Sequence, residues 1–136
     1  MDVRFPVLVL AAMALAAQAG TVTQTSTVRG VTVAATAGNL SAEATVWDFA
    51  VVLDSRDREL PDDVVANAVL VDASGHQQKA ILWEGAPLEG RHRAGVLKFI
   101  AVTPRPDWVE LRITRPGEDR PRRFSWLLPG RLVAWR

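Results

Sequence analysis

Residues 45–53, TVWDFAVVL, alternate without interruption. Thr45, Trp47, Phe49, Val51 and Leu53 fall on one side, and Val46, Asp48, Ala50 and Val52 on the other. A pleated strand turns successive side chains to opposite faces, whereas a helix would scatter Trp47, Phe49 and Val51 around its circumference. The segment therefore predicts a central strand with two large aromatics on its inner face. Each aromatic has ~150–250 Å² to bury, so the chain must supply further strands to cover them.

The rest of the sequence reads in the same period. Residues 30–36 alternate Val31, Val33 and Ala35 with Thr32, Ala34 and Thr36, a half-buried strand. A charged connection follows at 54–63, where Pro61 forbids a central strand. Strand character resumes at 65–72, turns at Ala73-Ser74-Gly75 and returns as a hairpin partner over 77–83. Residues 95–102 form another strand, and Pro104-Arg105-Pro106 makes a stiff corner. Val109, Leu111 and Ile113 then point inward, a polar loop covers 115–123, and 124–128 close the sheet with Phe124 and Trp126 on one face. About seven strands with regularly spaced turn signals predict an all-β fold, an immunoglobulin-like antiparallel β-sandwich. The domain spans 30–128. Residues 20–29, rich in Thr and Ser with no apolar face, read as a flexible leader. In the tail, 129–136, Leu132, Val133 and Trp135 either add an edge strand or cover apolar surface.

The first nineteen residues belong to a different element, a signal-peptide helix. Arg4 supplies a basic start, residues 7–17 are uncharged and apolar, and Ala17-Gln18-Ala19 fits a small-x-small cleavage site. Cleavage after Ala19 leaves Gly20 first in a periplasmic or secreted chain, with no membrane insertion of the mature part. An apolar run this short and alanine-rich suits a signal better than a span of about 30 Å of hydrocarbon. The absence of cysteine rules out disulfides, thiolate metal sites and thiol catalysis. The core alone must hold the fold.

Charge is distributed unevenly. Residues 20–90 hold four basic and ten acidic side chains, net −6, while 91–136 hold eleven and four, net +7. Mutual neutralisation between interleaved strands is the simpler reading, since charge arithmetic speaks to association rather than fold.

The richest stretch for function is 81–99, ILWEGAPLEGRHRAGVLKF. It reads as two apolar segments flanking a loop with Trp83, Glu84, Pro87 and the basic run Arg91-His92-Arg93. Loops carrying aromatic and charged groups are the usual seat of binding. Trp83 would form a floor, and Arg91, His92 and Arg93 would meet an anionic group, with Glu84 beside them. The pattern Trp83-Glu84-Gly85, Gly90-Arg91-His92-Arg93 and Gly95-Val96-Leu97-Lys98-Phe99 resembles small exported proteins of proteobacteria with a WEG…GxHR…GVLxF core. The upstream Trp47–Asp54 segment, WDFAVVLD, and the downstream Phe124-Ser125-Trp126 extend the resemblance over about residues 30–128. It implies a secreted sandwich and brings no particular activity. Arg91 stands where that pattern often carries a second histidine.

Other constellations are weaker. A metal site needs three or four ligands, and the chain offers His76 and His92 without cysteine. The acids of the 54–63 connection, Asp54, Asp57, Glu59, Asp62 and Asp63, could bind calcium. Their spacing does not match an EF-hand, and Arg56 and Arg58 lie among them. Trp47 and Trp126 read as core, while Trp108 and Trp135 are the candidates for surface anchors. No GxSxG or phosphate-cradling glycine loop is present. The arginines at 115, 120, 122 and 123 suit an anionic surface, and export argues against nucleic acid as the partner. The sequence thus points to a non-catalytic binding or interaction module of the cell envelope, without cofactor, meeting an envelope protein or an anionic ligand. The alternative is a periplasmic metal-binding protein using His92 and His76 or the 54–63 loop.

Overall fold

A computed structural model describes residues 22–85 and 90–128. The segment read as a signal peptide with its expected cleavage site at Ala19, Pro87, and the tail with Trp135 lie outside the described residues. Nine strands run in order: β1 (Thr23–Val28), β2 (Val31–Ala37), β3 (Val46–Ser55), β4 (Ala68–Asp72), β5 (Gln77–Lys79), β6 (Leu82–Gly85), β7 (His92–Ile100), β8 (Trp108–Ile113) and β9 (Arg122–Leu127). They form two antiparallel sheets, β1-β2-β3-β7-β6 and β5-β4-β8-β9. The sheets pack as the expected immunoglobulin-like sandwich, with no helix among the described residues.

The alternation in β3 sets the core. Trp47, Phe49, Val51 and Leu53 are buried, joined by Leu97 and Phe99 of β7 from the same sheet. Val109, Leu111 and Ile113 of β8, with Phe124 and Trp126 of β9, come down from the other sheet. Phe49 meets Phe99 edge-on at 5.6 Å and Trp126 at 5.2 Å between ring centroids. Such pairs add about 0.5–1.5 kcal/mol beyond the area they bury.

The strand count differs from the expected seven at two places. Residues 23–28, read as flexible leader, form β1 and pair along their whole length with β2. The hairpin turns at Arg29 and Gly30, both with positive φ (52° and 80°), the two-residue geometry whose twist matches the strands. Thr and Ser on both faces give β1 no apolar side to read. Its outer carbonyls are met by side chains of β9 instead. Trp126 Nε1 donates to the Val22 carbonyl at 3.0 Å, and Arg122 to those of Ser26 and Val28 at 2.8 and 3.4 Å.

The second difference is at 77–83, expected as one strand. The chain changes sheets there. Gln77–Lys79 pair with β4, Ala80 N–H donates to the Ala68 carbonyl, and Ile81 N–H then donates to Lys98 in the opposite sheet. Two short strands result. A third correction concerns the basic run: His92, Arg93 and Ala94 belong to β7, paired with Asp54, Leu53 and Val52, and not to a loop.

This path gives the sandwich two distinct ends. One gathers Asp54, His92 and the start of β9, where Asp54 pairs with His92 and Arg122 with Ile113. The other gathers Val46, Ile100, Asp72 and Trp108, where the chain crosses from β7 to β8. The two histidines therefore sit at opposite ends.

Candidate functional site

The residues expected to act together at 83–93 are separated by strand geometry. Neighbours on β7 must face opposite ways, so His92 points outward and Arg93 inward. Arg93 is only 1% exposed. It donates from one terminal nitrogen to the backbone carbonyls of Asp62 and Leu60, at 2.7 and 3.4 Å. Its guanidinium carbon lies 5.8 Å from the centroid of the Trp83 ring, a cation–π distance. Its Nε is buried without a hydrogen-bond partner. Arg93 therefore ties the 60–62 segment to β7 and is withdrawn from any external anion, correcting the expected role.

The remaining members disperse. His92 Nδ1 lies 3.1 Å from Asp54 Oδ1, its cross-strand neighbour. Arg91 reaches the Arg56 carbonyl at 3.4 Å and is exposed. Glu84 pairs with Lys98 at 3.2 Å. It stands opposite Val96, four residues along β7 from His92, hence ~13 Å away at the rise of a strand. Trp83 turns inward as expected of a floor, but what lies under it is Gly95: a Cβ there would meet the indole at 2.5 Å. The glycine is required by the close approach of the tryptophan and not by loop conformation.

The acidic connection is likewise occupied. Asp62 is buried and takes a two-pronged contact from Arg115, at 2.7 and 3.1 Å. Arg115 continues to Glu118 at 3.1 Å, and Glu118 to Arg122 at 2.8 and 2.7 Å. The Asp62 hydrogen bond raises the Arg115 pKa above its ordinary value, against the opposing effect of burial. The Arg122 guanidinium holds the Glu118 carboxyl below the usual carboxylate range, with Arg115 adding to the effect and burial working against it. Asp63 accepts the Ala66 N–H at 3.1 Å and shapes the turn before β4. Asp62 of the acidic segment thus joins Arg115, Glu118 and Arg122 of the basic one in a single chain of ion pairs at this end. Among the described residues no three His, Asp or Glu side chains are grouped to hold a metal ion. The expected metal reading rests on such a group, and His76 and His92, at opposite ends of the sandwich, do not form one.

The opposite end carries what sequence reading missed. A cleft of about 620 Å³ opens between the β4–β5 turn and the crossing segment 100–107. The turn supplies Asp72, Ser74, His76 and Gln78, and the crossing segment Val102, Pro104, Pro106 and Asp107. Asp72 Oδ1 accepts the N–H groups of Ser74 and His76 at 2.9 and 3.0 Å, which fixes the turn. Its other oxygen lies 3.6 Å from His76 Nδ1, whose side chain is 81% exposed. Arg105 anchors the far wall through the carbonyls of Leu40 and Leu128, at 3.0 and 3.3 Å. Both walls are held by their own hydrogen bonds, so the cleft is largely preformed. The sequence showed only a turn and a proline corner. What makes them a site is sheet order, which no local pattern announces. Trp108, read as a surface anchor, is half-buried and lines a separate shallow cavity with Ser125 and Leu127.

No protein-family model matches the chain, and no curated protein matches it. Among solved structures it is similar to a DUF4426 family protein from Pseudomonas aeruginosa PAO1, at 15% identity and a TM-score of 0.46. That match covers 76% of this chain and 92% of the other.

Proposed function

We propose that the chain is an exported, non-catalytic binding module of the cell envelope, and that its ligand site is the cleft between the β4–β5 turn and segment 100–107. One observation carries the reading. This is the largest concavity among the cavities described, and it joins hydrogen-bonding groups of both kinds to an apolar wall. Asp72, Asp107, His76 and Arg105 bring both signs of charge around Val102, Pro104 and Pro106. A short peptide segment, with its alternating amides and apolar side chains, matches that lining better than a simple anion does. Export is supported by the signal-like residues 1–19 and by the resemblance to exported proteins. Arg93, one of the three basic groups expected to meet an anion, faces the interior, which favours the cleft over the 91–93 surface.

The test is a thermal-shift screen of the exported protein against a pool of short peptides of mixed charge. A ligand that binds only the native state raises Tm with concentration. The expected result is a saturable rise that disappears in His76→Ala and Gln78→Ala while the Tm without peptide stays unchanged. A rise of equal size in both variants would place the site elsewhere, and no rise with any peptide would remove the peptide reading.

A further inference from the structure

Leu128, the last described residue, is held at the rim of the cleft. β9 runs toward this end of the sandwich, where Asp72, Val109 and Trp126 form one row across β4, β8 and β9. Leu128 lies two residues beyond that row. Its N–H donates to the Asp107 carbonyl at 2.7 Å, and its own carbonyl accepts from Arg105 at 3.3 Å. Arg105 and Asp107 both line the cleft. The chain therefore passes beyond the described residues from the cleft's own wall. Eight more residues, 129–136, follow in the sequence as PGRLVAWR.

We infer that this segment docks in the cleft of its own chain, with Leu132, Val133 and Trp135 against the wall of Val102, Pro104 and Pro106. The inference rests on the reading of the cleft as a peptide site and names the peptide that holds it first, so an external ligand must displace the tail. The reach is sufficient. Eight extended residues span roughly 26 Å, whereas β9 and β4 are two strand spacings apart, about 10 Å. Pro129 has no N–H with which to continue the ladder to β8, and Pro-Gly favours a turn, so the sequence bends the chain at the rim rather than lengthening β9. The chemistry matches as well. Trp135 alone has ~150–250 Å² to bury, and the cleft offers two prolines, Val102 and the half-exposed Ile100. Its lining carries two carboxylates, Asp72 and Asp107, against the single guanidinium of Arg105, which the carbonyls of Leu40 and Leu128 already engage. The tail brings two arginines and no acid, and the fields attract without requiring any particular pair. A tethered segment sees its site at an effective concentration of roughly millimolar, so even a weak contact keeps the cleft occupied.

Amide NMR of the full chain tests this, with a synthetic peptide of residues 129–136, acetylated and amidated, as the probe. The comparison is between wild type and a double variant, Leu132→Asp with Trp135→Asp, whose own tail no longer docks. Without peptide the two spectra should already differ at 72–78 and 100–107 and agree over the rest of the sandwich. Added peptide should give saturable shifts at those residues in the double variant. In wild type the same shifts should need on the order of ten-fold more peptide, because the tethered segment competes. Equal midpoints in the two proteins overturn the inference, as do shifts elsewhere or none. A screened peptide that binds the cleft where the tail peptide does not would overturn the tail's role and leave the peptide site in place. Failure of every peptide at the cleft removes both.

Discussion

The side-chain amide of Gln24 occupies both backbone groups of Ser125. Its Oε1 accepts the Ser125 N–H at 2.9 Å, and its Nε2 donates to the Ser125 carbonyl. A single side chain on the edge strand of one sheet thereby imitates a strand for the edge of the other. With Trp126 on the Val22 carbonyl and Arg122 on those of Ser26 and Val28, the seam between β1 and β9 is closed by side chains. Open strand edges invite pairing with other chains, and this stitching removes one of them.

Gln24→Ala should therefore cost about 1–2 kcal/mol, the loss of two hydrogen bonds from a sheet edge. That lowers Tm by roughly 4–8 °C per kcal/mol in a domain of this size. Calorimetry reads it directly. Gln24→Glu keeps the acceptor but sets a carboxylate oxygen against the Ser125 carbonyl, so it should cost at least as much as Gln24→Ala.

The ion-pair chain predicts an acid limb of stability. Glu118 has a folded pKa lowered from its ordinary value of 4.5, chiefly by Arg122. A depressed carboxyl contributes stability that is present above its unfolded pKa and is lost as pH falls through the folded one. Wild-type Tm should thus begin to drop as pH falls below about 4.5. Glu118→Gln should start lower by about 3 kcal/mol, because Arg115 and Arg122 lose a shared partner. Its Tm should also respond less to acid over that range. Parallel pH profiles for the two proteins would contradict the assignment.

Arg91 and Arg93 lie two residues apart and should behave oppositely. Arg93→Ala leaves the Leu60 and Asp62 carbonyls without their donor and opens space beside Trp83, a cost of about 3 kcal/mol. Arg91→Ala removes an exposed side chain and should stay within about 0.5 kcal/mol. Urea denaturation of both variants distinguishes a structural arginine from a surface one. Equal losses would mean that Arg93 is not the buried anchor and Arg91, just before β7, not the exposed one.

How much of this was legible follows from where each constraint lives. The inward set Trp47, Phe49, Val51 and Leu53 could be read because a half-buried strand writes its burial into a period of two. The same holds for Val109, Leu111 and Ile113. β1 could not, since both its faces are polar and its partners, Gln24 excepted, are backbone carbonyls met by β9. The run Arg91-His92-Arg93 was misassigned because Gly90 and its neighbours signal a turn. In a turn all three charges could face outward; in β7 one of them must go in. The cleft at Asp72 and His76 was invisible for a further reason. Its walls are 100–107 and 72–78, unremarkable locally, and only the crossing from β7 to β8 brings them together.

The most direct test of the central claim is a two-dimensional amide NMR titration of the protein with a peptide found in the thermal-shift screen. The predicted result is a set of saturable shifts confined to residues 72–78 and 100–107 and abolished by His76→Ala. Shifts centred on Arg91 and His92, at the other end of the sandwich, would contradict it.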